Sequence, residues 1–158
     1  MSTLPVTIRP AAKPDVPFIT SSWLRNFRDA PFVRGVPNNT YYHQHHRILE
    51  RLLPKSMVFV ACNAEDLNQI MAWGCAEIID DALVVHFMYT KAPFRRWGLA
   101  KKLLAAFIEA FTTGKGHPPG AVFYTHKSLL CPKLEMLKTH HIIYNPYLVF
   151  EDRDAPAR

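Results

Sequence analysis

What this chain has little of is the first guide to it. Three cysteines, Cys62, Cys75 and Cys131, form no C-x-x-C pair and leave an odd number, which argues against a disulfide framework. Cys62 and Cys75 lie in apolar strand-like runs and read as buried, reduced thiols of a cytoplasmic protein. No apolar run approaches the roughly 20 residues that a membrane helix needs, and the start "MSTLPVTIRPAAK" lacks the basic head and apolar centre of a signal peptide. The cytosol is therefore expected, with no membrane partner. Repeats, linkers and low-complexity tracts are missing too, so the chain reads as one domain, residues 1–158, with 49% hydrophobic and 20% charged residues. Acids are the scarcer charge, 13 against 19 lysines and arginines, and the net charge of +6 favours anionic ligands: nucleic acid, phosphates or an acidic protein surface.

The segments that are present have clear periods. "LPVTIRP", Leu4 to Pro10, alternates apolar and polar residues between prolines and predicts a first strand. Asp15 then helps to start a helix that carries Val16, Ile19, Trp23 and Phe27 on one face. After the turn-rich "DAPFVRGVPNN", Thr40 is placed as the N-cap of a second helix with Tyr41, His45, Ile48, Leu49 and Leu52 on one side, stopping at Pro54. "MVFVAC", "QIMAWGCAEII" and "LVVHFMYT" predict a three-stranded meander whose last turn is Asp80-Asp81. A third helix shows Leu99, Leu103, Phe107 and Phe111 at steps of four, widened by Leu104 and Ile108, and ends at "GKGHPPG". A strand "AVFYT", a helix from Ser128 to Thr139 and a last strand in "HIIYNPYLVF" complete the chain. The order β-α-α-β-β-β-α-β-α-β predicts a mixed α/β fold with one sheet.

The stretch "HFMYTKAPFRRWGLAKKLLAAF" joins a strand to the third helix through a basic, glycine-containing knot. The mouth of a helix has unpaired N–H groups and the positive end of the backbone dipole, so it suits a phosphate. Gly98 and the small Ala100 let a ligand approach this backbone, and Arg96 and Lys101 add charge. Neither G-x-x-x-x-G-K-[ST] nor G-x-G-x-x-G occurs, which argues against ATP and NAD. What does occur, between a strand and a helix, is R-x-x-G-x-A, Arg95 to Ala100.

This motif resembles the acetyl-coenzyme A signature [QR]-x-x-G-x-[GA] of the GNAT family of N-acetyltransferases, and its place after two helices and the fourth strand extends the resemblance over nearly the whole chain. "SSWLRNF", "HFMYTKAPFRRWGLAKKLL" and "YNPYL" are also similar to GNAT proteins encoded by bacteriophages and prophages. The resemblance implies a GNAT-fold, mostly antiparallel sheet flanked by helices, with acetyl-CoA as cofactor. It implies pyrophosphate on the backbone from Arg96 to Lys101, with Arg95, Trp97, Gly98, Leu99 and Ala100 in the same segment, and the pantetheine arm along Met88, Tyr89 and Thr90, where the fourth and fifth strands splay. Ser128 would touch the cofactor, and Trp23, Tyr41 and Tyr42 would belong to the acceptor wall formed by the first two helices.

Acetyl transfer to an amine requires a neutral nitrogen, so the site needs a base and a route for the proton. His86, on the predicted fourth strand, is the first candidate, because imidazole titrates near neutral pH; its bland alternative is a histidine satisfied by a core hydrogen bond. Glu77 alternates onto the face of Trp73 and Cys75 and is the second, a solvated carboxylate being its alternative. Members of the family commonly use a tyrosine acid ahead of a Gly-Phe pair, where this chain has Met136 and His140-His141. Tyr124 is carried as the replacement, beside Tyr89, Tyr144 and His126. In "HQHH", His43 and His46 share a helical face, but no acid or cysteine completes a set, so no metal is expected.

The sequence thus predicts an acetyl-CoA-dependent N-acetyltransferase acting by direct transfer on a primary amine of a small molecule or protein. The alternative is a non-catalytic GNAT-fold protein that binds a host or partner protein, with or without acetyl-CoA. The basic residues are dispersed, which argues against a nucleic-acid partner, and the exposed apolar edges of a small sheet leave room for a homodimer.

Overall fold

Two clusters of buried side chains, one on each face of a single six-stranded sheet, account for most of the architecture. The computed structural model describes residues 4–127 and 142–149. Strands β1 (Val6–Pro10), β2 (Met57–Asn63), β3 (Asp66–Ile79), β4 (Ala82–Thr90), β5 (Ala121–Tyr124) and β6 (Ile142–Tyr144) are neighbours in that order. The first three pairings are antiparallel, while β4–β5 and β5–β6 are parallel. The predicted mixed, mostly antiparallel sheet flanked by helices is what forms.

Helices α1 (Val16–Phe27) and α2 (Asn38–Leu52) cover one face, and α3 (Leu99–Lys115) covers the other. On the first face Ile19, Trp23 and Phe27 meet Trp73, Cys75 and Phe87, with the Trp23 and Phe87 rings stacked at 5.2 Å. Two polar ties fix the helices: the Trp73 indole N–H donates to Ser22 Oγ at 2.8 Å, and the Tyr41 hydroxyl donates to the Leu24 carbonyl at 2.6 Å. On the second face Leu99, Leu103, Leu104, Phe107 and Phe111 are buried, the stripe that the four-residue spacing predicts. Phe107 comes so close to β3 that a Cβ on Gly74 would lie 2.8 Å from its ring.

Several local expectations change. Helix α2 begins at Asn38 after Pro37, so Thr40 lies inside the first turn and caps nothing; the proline already supplies the chain reversal. Val16, at the start of α1, is exposed, because the sheet is reached only from Ile19 onward. Asp15 sits before α1, but its carboxylate accepts from the Ala12 N–H and the Arg9 guanidinium and does not cap the helix. Among the described residues of "HIIYNPYLVF" the strand covers Ile142–Tyr144, and Pro146–Val149 form a 3-10 turn, since Pro146 has no N–H to give to a ladder. The expected helix from Ser128 to Thr139, with Ser128, Cys131 and Met136, lies outside the described residues, as do His140 and His141. Asp80 at the meander turn has φ 52°, the left-handed conformation that short-side-chain acids tolerate. Among the described residues, no helix is long and apolar enough to cross a membrane.

Candidate active site

The mouth of α3 is an unusual piece of backbone. A 3-10 turn over Ala92–Phe94 leads to Arg96 at φ 71° and Gly98 at φ 75°, two left-handed residues with Trp97 between them. Left-handed geometry costs a non-glycine residue roughly 1–2 kcal/mol, so at Arg96 strain is held where the chain turns into the helix. The first helical bond runs from the Lys102 N–H to the Gly98 carbonyl at 3.1 Å, so the amides of the first turn have no partner within the helix. Among the described residues no side-chain hydrogen bond caps this end. A Cβ on Gly98 would meet nothing within 4 Å, so it is φ and not space that favours glycine there. A helix mouth with unpaired N–H groups is the kind of backbone that suits an anion, which makes this segment a candidate anion cradle.

Upstream of the cradle, β4 loses its partner. The β4–β5 ladder ends with Val85 opposite Tyr124 and one further bond from the Thr125 N–H to the Val85 carbonyl at 3.2 Å. β4 continues to Thr90 on its β3 side, so among the described residues its other edge beyond Val85 has no paired strand. The pairing of the two parallel strands ends at that point of separation, with β5 stopping at Tyr124, and the half-buried Met88, Tyr89 and Thr90 lie on the stretch of β4 beyond it.

At the apex of that separation sits a buried polar chain. Cys75 pairs with Phe87 and Ala76 with Val85, so His86 is the extra residue of a β-bulge, and the bulge turns it toward the same face as Phe87. Its Nε2 lies 2.8 Å from Glu77 Oε1 and its Nδ1 lies 2.9 Å from Thr125 Oγ. Thr125 Oγ lies 2.8 Å from His126 Nδ1, and His126 Nε2 lies 3.2 Å from Nε2 of His45 on α2. All five residues are buried. Burial alone pushes His45 down to about 4, and burial, reinforced by His45 and His86, holds His126 well below the ordinary imidazole range.

Comparison with known proteins identifies the family and the fold. The model of the acetyltransferase (GNAT) family matches residues 20–117, more than half of the chain. The chain belongs to the GNAT family. A predicted acetyltransferase from Clostridium acetobutylicum, solved with acetyl-CoA, has the same fold at a TM-score of 0.62 and 18% identity over 98% of this chain and 95% of that one. A GNAT acetyltransferase from Brucella melitensis in complex with acetyl-CoA aligns at 0.57 and 11%, over 84% and 82%. The enzyme AAC(6')-Iy, bound to a bisubstrate analogue of CoA and acetylneamine, aligns at 0.51 and 16%, over 86% and 90%. No curated protein matches by sequence.

Within this GNAT fold the residues singled out from sequence fall into three groups. Arg95, Arg96, Gly98 and Lys101 are exposed around the cradle, and Ala100 is half-buried. Leu99 points into the core, so only its backbone faces the cradle, and Trp97 packs edge-on against Phe94 at 5.2 Å. The Arg95 Nε donates to the Thr90 carbonyl at 3.3 Å and ties the cradle to the end of β4. Glu77 and His86 are brought together on the other face of the sheet. Tyr124 is not with them: it is buried in the α3-side cluster, 5.1 Å from the Tyr144 ring, because alternation along β5 sends it to the opposite face. Trp23 and Tyr41 are sealed in the core, and of the three acceptor-wall residues Tyr42 alone is exposed. Ser128 lies outside the described residues.

Thr125 and the partnership of His126 with His45 were not apparent from sequence. The signal available was weak: a polar Thr-His pair directly after an apolar strand, and one histidine of "HQHH" in phase with Tyr41, Leu49 and Leu52. His43 and His46 stay on the outer face of α2, His46 near Glu50 at 3.3 Å. No group of three or more metal-binding side chains occurs among the described residues.

Proposed function

We propose that this protein binds acetyl-CoA and transfers its acetyl group directly to a primary amine of a small molecule or protein. The observation that carries the reading is the uncapped mouth of α3, with Arg96 and Gly98 both left-handed and nothing within 4 Å of where a Gly98 Cβ would lie. The amides from Arg96 to Lys101 hold the pyrophosphate, Arg95, Arg96 and Lys101 add positive charge, and the open edge of β4 at Met88 to Thr90 pairs with the pantetheine arm. When bound, acetyl-CoA supplies an acetyl group already activated as a thioester. Family members of the same fold are solved with acetyl-CoA or a CoA-based bisubstrate analogue, which supports the cofactor and an amine acceptor.

The Glu77–His86 pair manages the acceptor's proton. His86 does not act as a bare base, because both ring nitrogens are already engaged; it orients the carboxylate of Glu77 and shares its proton. Ser128 and Tyr42 keep the roles that the family resemblance gives them, at the cofactor and the acceptor wall. The protein works in the cytoplasm in this reading, and the three phage-like segments point to a phage or prophage origin.

The complete engagement and burial of His86 favours a second reading, a non-catalytic GNAT-fold protein that binds a partner protein. A thiol-release assay with acetyl-CoA over a panel of amines and lysates separates the two. Acceptor-dependent release of CoA is expected; binding of acetyl-CoA without any release would select the second reading.

A further inference from the structure

We propose that Thr125, His126 and His45 form a side-chain proton path connecting the buried Glu77–His86 pair to solvent on the α2 side of the fold. The path rests on the acetyl-transfer reading for its purpose, though not for its existence.

The argument is one of proton accounting. A neutral imidazole has one N–H and one acceptor nitrogen, and a threonine hydroxyl has one proton to give. His45 and His126 are neutral near pH 7, because burial lowers both. The Thr125 hydroxyl has one proton and two lone pairs, so with imidazole nitrogens at 2.8 and 2.9 Å from its Oγ it can donate to one and accept from the other. Of the facing Nε2 atoms of His126 and His45, one donates and the other accepts.

With neutral rings and the Thr125 proton given within the chain, two arrangements satisfy every link. In one, each donor points toward an ionised Glu77: His45 Nε2–H to His126, His126 Nδ1–H to Thr125, the Thr125 hydroxyl to His86 Nδ1, and His86 Nε2–H to the carboxylate. In the other every donor is reversed and Glu77 carries a proton. The two differ by one proton and four short hops, one across each link. A proton gained at His45 Nδ1 in the first arrangement drives one proton onto Glu77, and the reverse run delivers the Glu77 proton to solvent.

The surroundings suit this task. Trp23, Phe27, Phe87 and Tyr41 pack around His45 and His126 at ring separations of 4.8 to 6.4 Å and keep bulk water out. Of the five members His45 is the most open, at 7%, against 1% for His86 and 4% for Glu77, Thr125 and His126, so the outlet is on α2. Among the described residues, three other titratable or charged groups near the chain are engaged elsewhere or held neutral. The Tyr41 hydroxyl is given to the Leu24 carbonyl, Arg28 lies over the Tyr41 ring at 5.0 Å, and burial pushes the Cys75 thiol up to about 12.

Acetyl transfer needs such an outlet. As the N–C bond forms and the C–S bond breaks, an ammonium nitrogen loses two protons; the departing thiolate takes one, and the other must leave a buried site. Thr125, His126 and His45 act through the Glu77–His86 pair and are positioning residues.

The test is nitrogen-resolved NMR of the imidazoles in the whole chain without cofactor. Near pH 7 the expected tautomers are Nε2–H for His86, Nδ1–H for His126 and Nε2–H for His45. Exchange of the His86 ring proton with water should slow at least tenfold in Thr125→Val and recover in Thr125→Ser, which a merely structural hydrogen bond would not produce. Should Thr125→Val not fold, His45→Phe closes the outer end and must slow the same exchange. Tautomers out of this order, or exchange unchanged in either variant, would overturn the path. No turnover is required, so the absence of acetyl transfer leaves this result standing, while turnover with unlinked imidazoles would keep the function and remove the path.

Discussion

Nε2 of His86 lies 2.8 Å from Oε1 of Glu77 because a bulge in β4 leaves His86 without a ladder partner and turns it toward the face that Glu77 already occupies. The pair is therefore a product of strand register, and a carboxylate this deeply buried depends on its hydrogen bonds to stay charged. Glu77→Gln keeps the shape and removes the charge. Acceptor-dependent CoA release should fall by about 10²-fold, the usual scale for losing a proton-transfer group, while the melting curve stays near that of the wild type. Wild-type rates in Glu77→Gln would assign the pair a structural role.

At the α3 mouth, Gly98→Ala places a Cβ where the left-handed backbone disfavours one, at a cost of roughly 1–2 kcal/mol. The same Cβ enters space that no described residue occupies within 4 Å, on the backbone proposed to hold the pyrophosphate. Acetyl-CoA affinity should therefore drop by more than the fold's stability does, with at least a tenfold rise in Kd. Calorimetry beside a thermal melt measures both, and equal Kd values for the two proteins would remove Gly98 from the cofactor site.

Gly74→Ala probes packing between β3 and α3. Its Cβ would come within 2.8 Å of the ring of Phe107, which is fully buried and has no free direction to move. Overpacking of this kind costs roughly 1–3 kcal/mol. A urea titration should show the loss, and Gly74→Ala combined with Phe107→Leu should recover part of it.

The buried histidines make stability depend on pH. The pKa of His45 is about 4 in the fold against 6.5 unfolded, so below 6.5 the unfolded chain binds protons that the folded chain does not. Its contribution, roughly 3 kcal/mol at full extent, is complete above pH 6.5 and is lost as pH falls toward 4. His126 acts in the same direction. Thermal melts between pH 7 and pH 4 should show a steep fall that flattens in His45→Gln; an equally steep fall in that variant would contradict the assignment.

Much of this was legible in the sequence, and the exceptions share a cause. The meander, the Asp80-Asp81 turn and the apolar stripe of α3 are local patterns, readable from spacing alone. The link from Glu77 through His86, Thr125 and His126 to His45 joins four elements, and it depends on one bulged residue and on the parallel register of β4 with β5. No period in the chain encodes that register. Tyr124 and Thr125 make the point: adjacent in sequence, they are sent to opposite faces, and the plainer residue joins the chain.

The claim on which the rest depends is that the α3 mouth and the open edge of β4 receive acetyl-CoA. Calorimetric titration of the whole chain with acetyl-CoA tests it most directly. Saturable binding at one site per chain, weakened in Gly98→Ala, is the predicted result; no heat of binding at millimolar acetyl-CoA would contradict it.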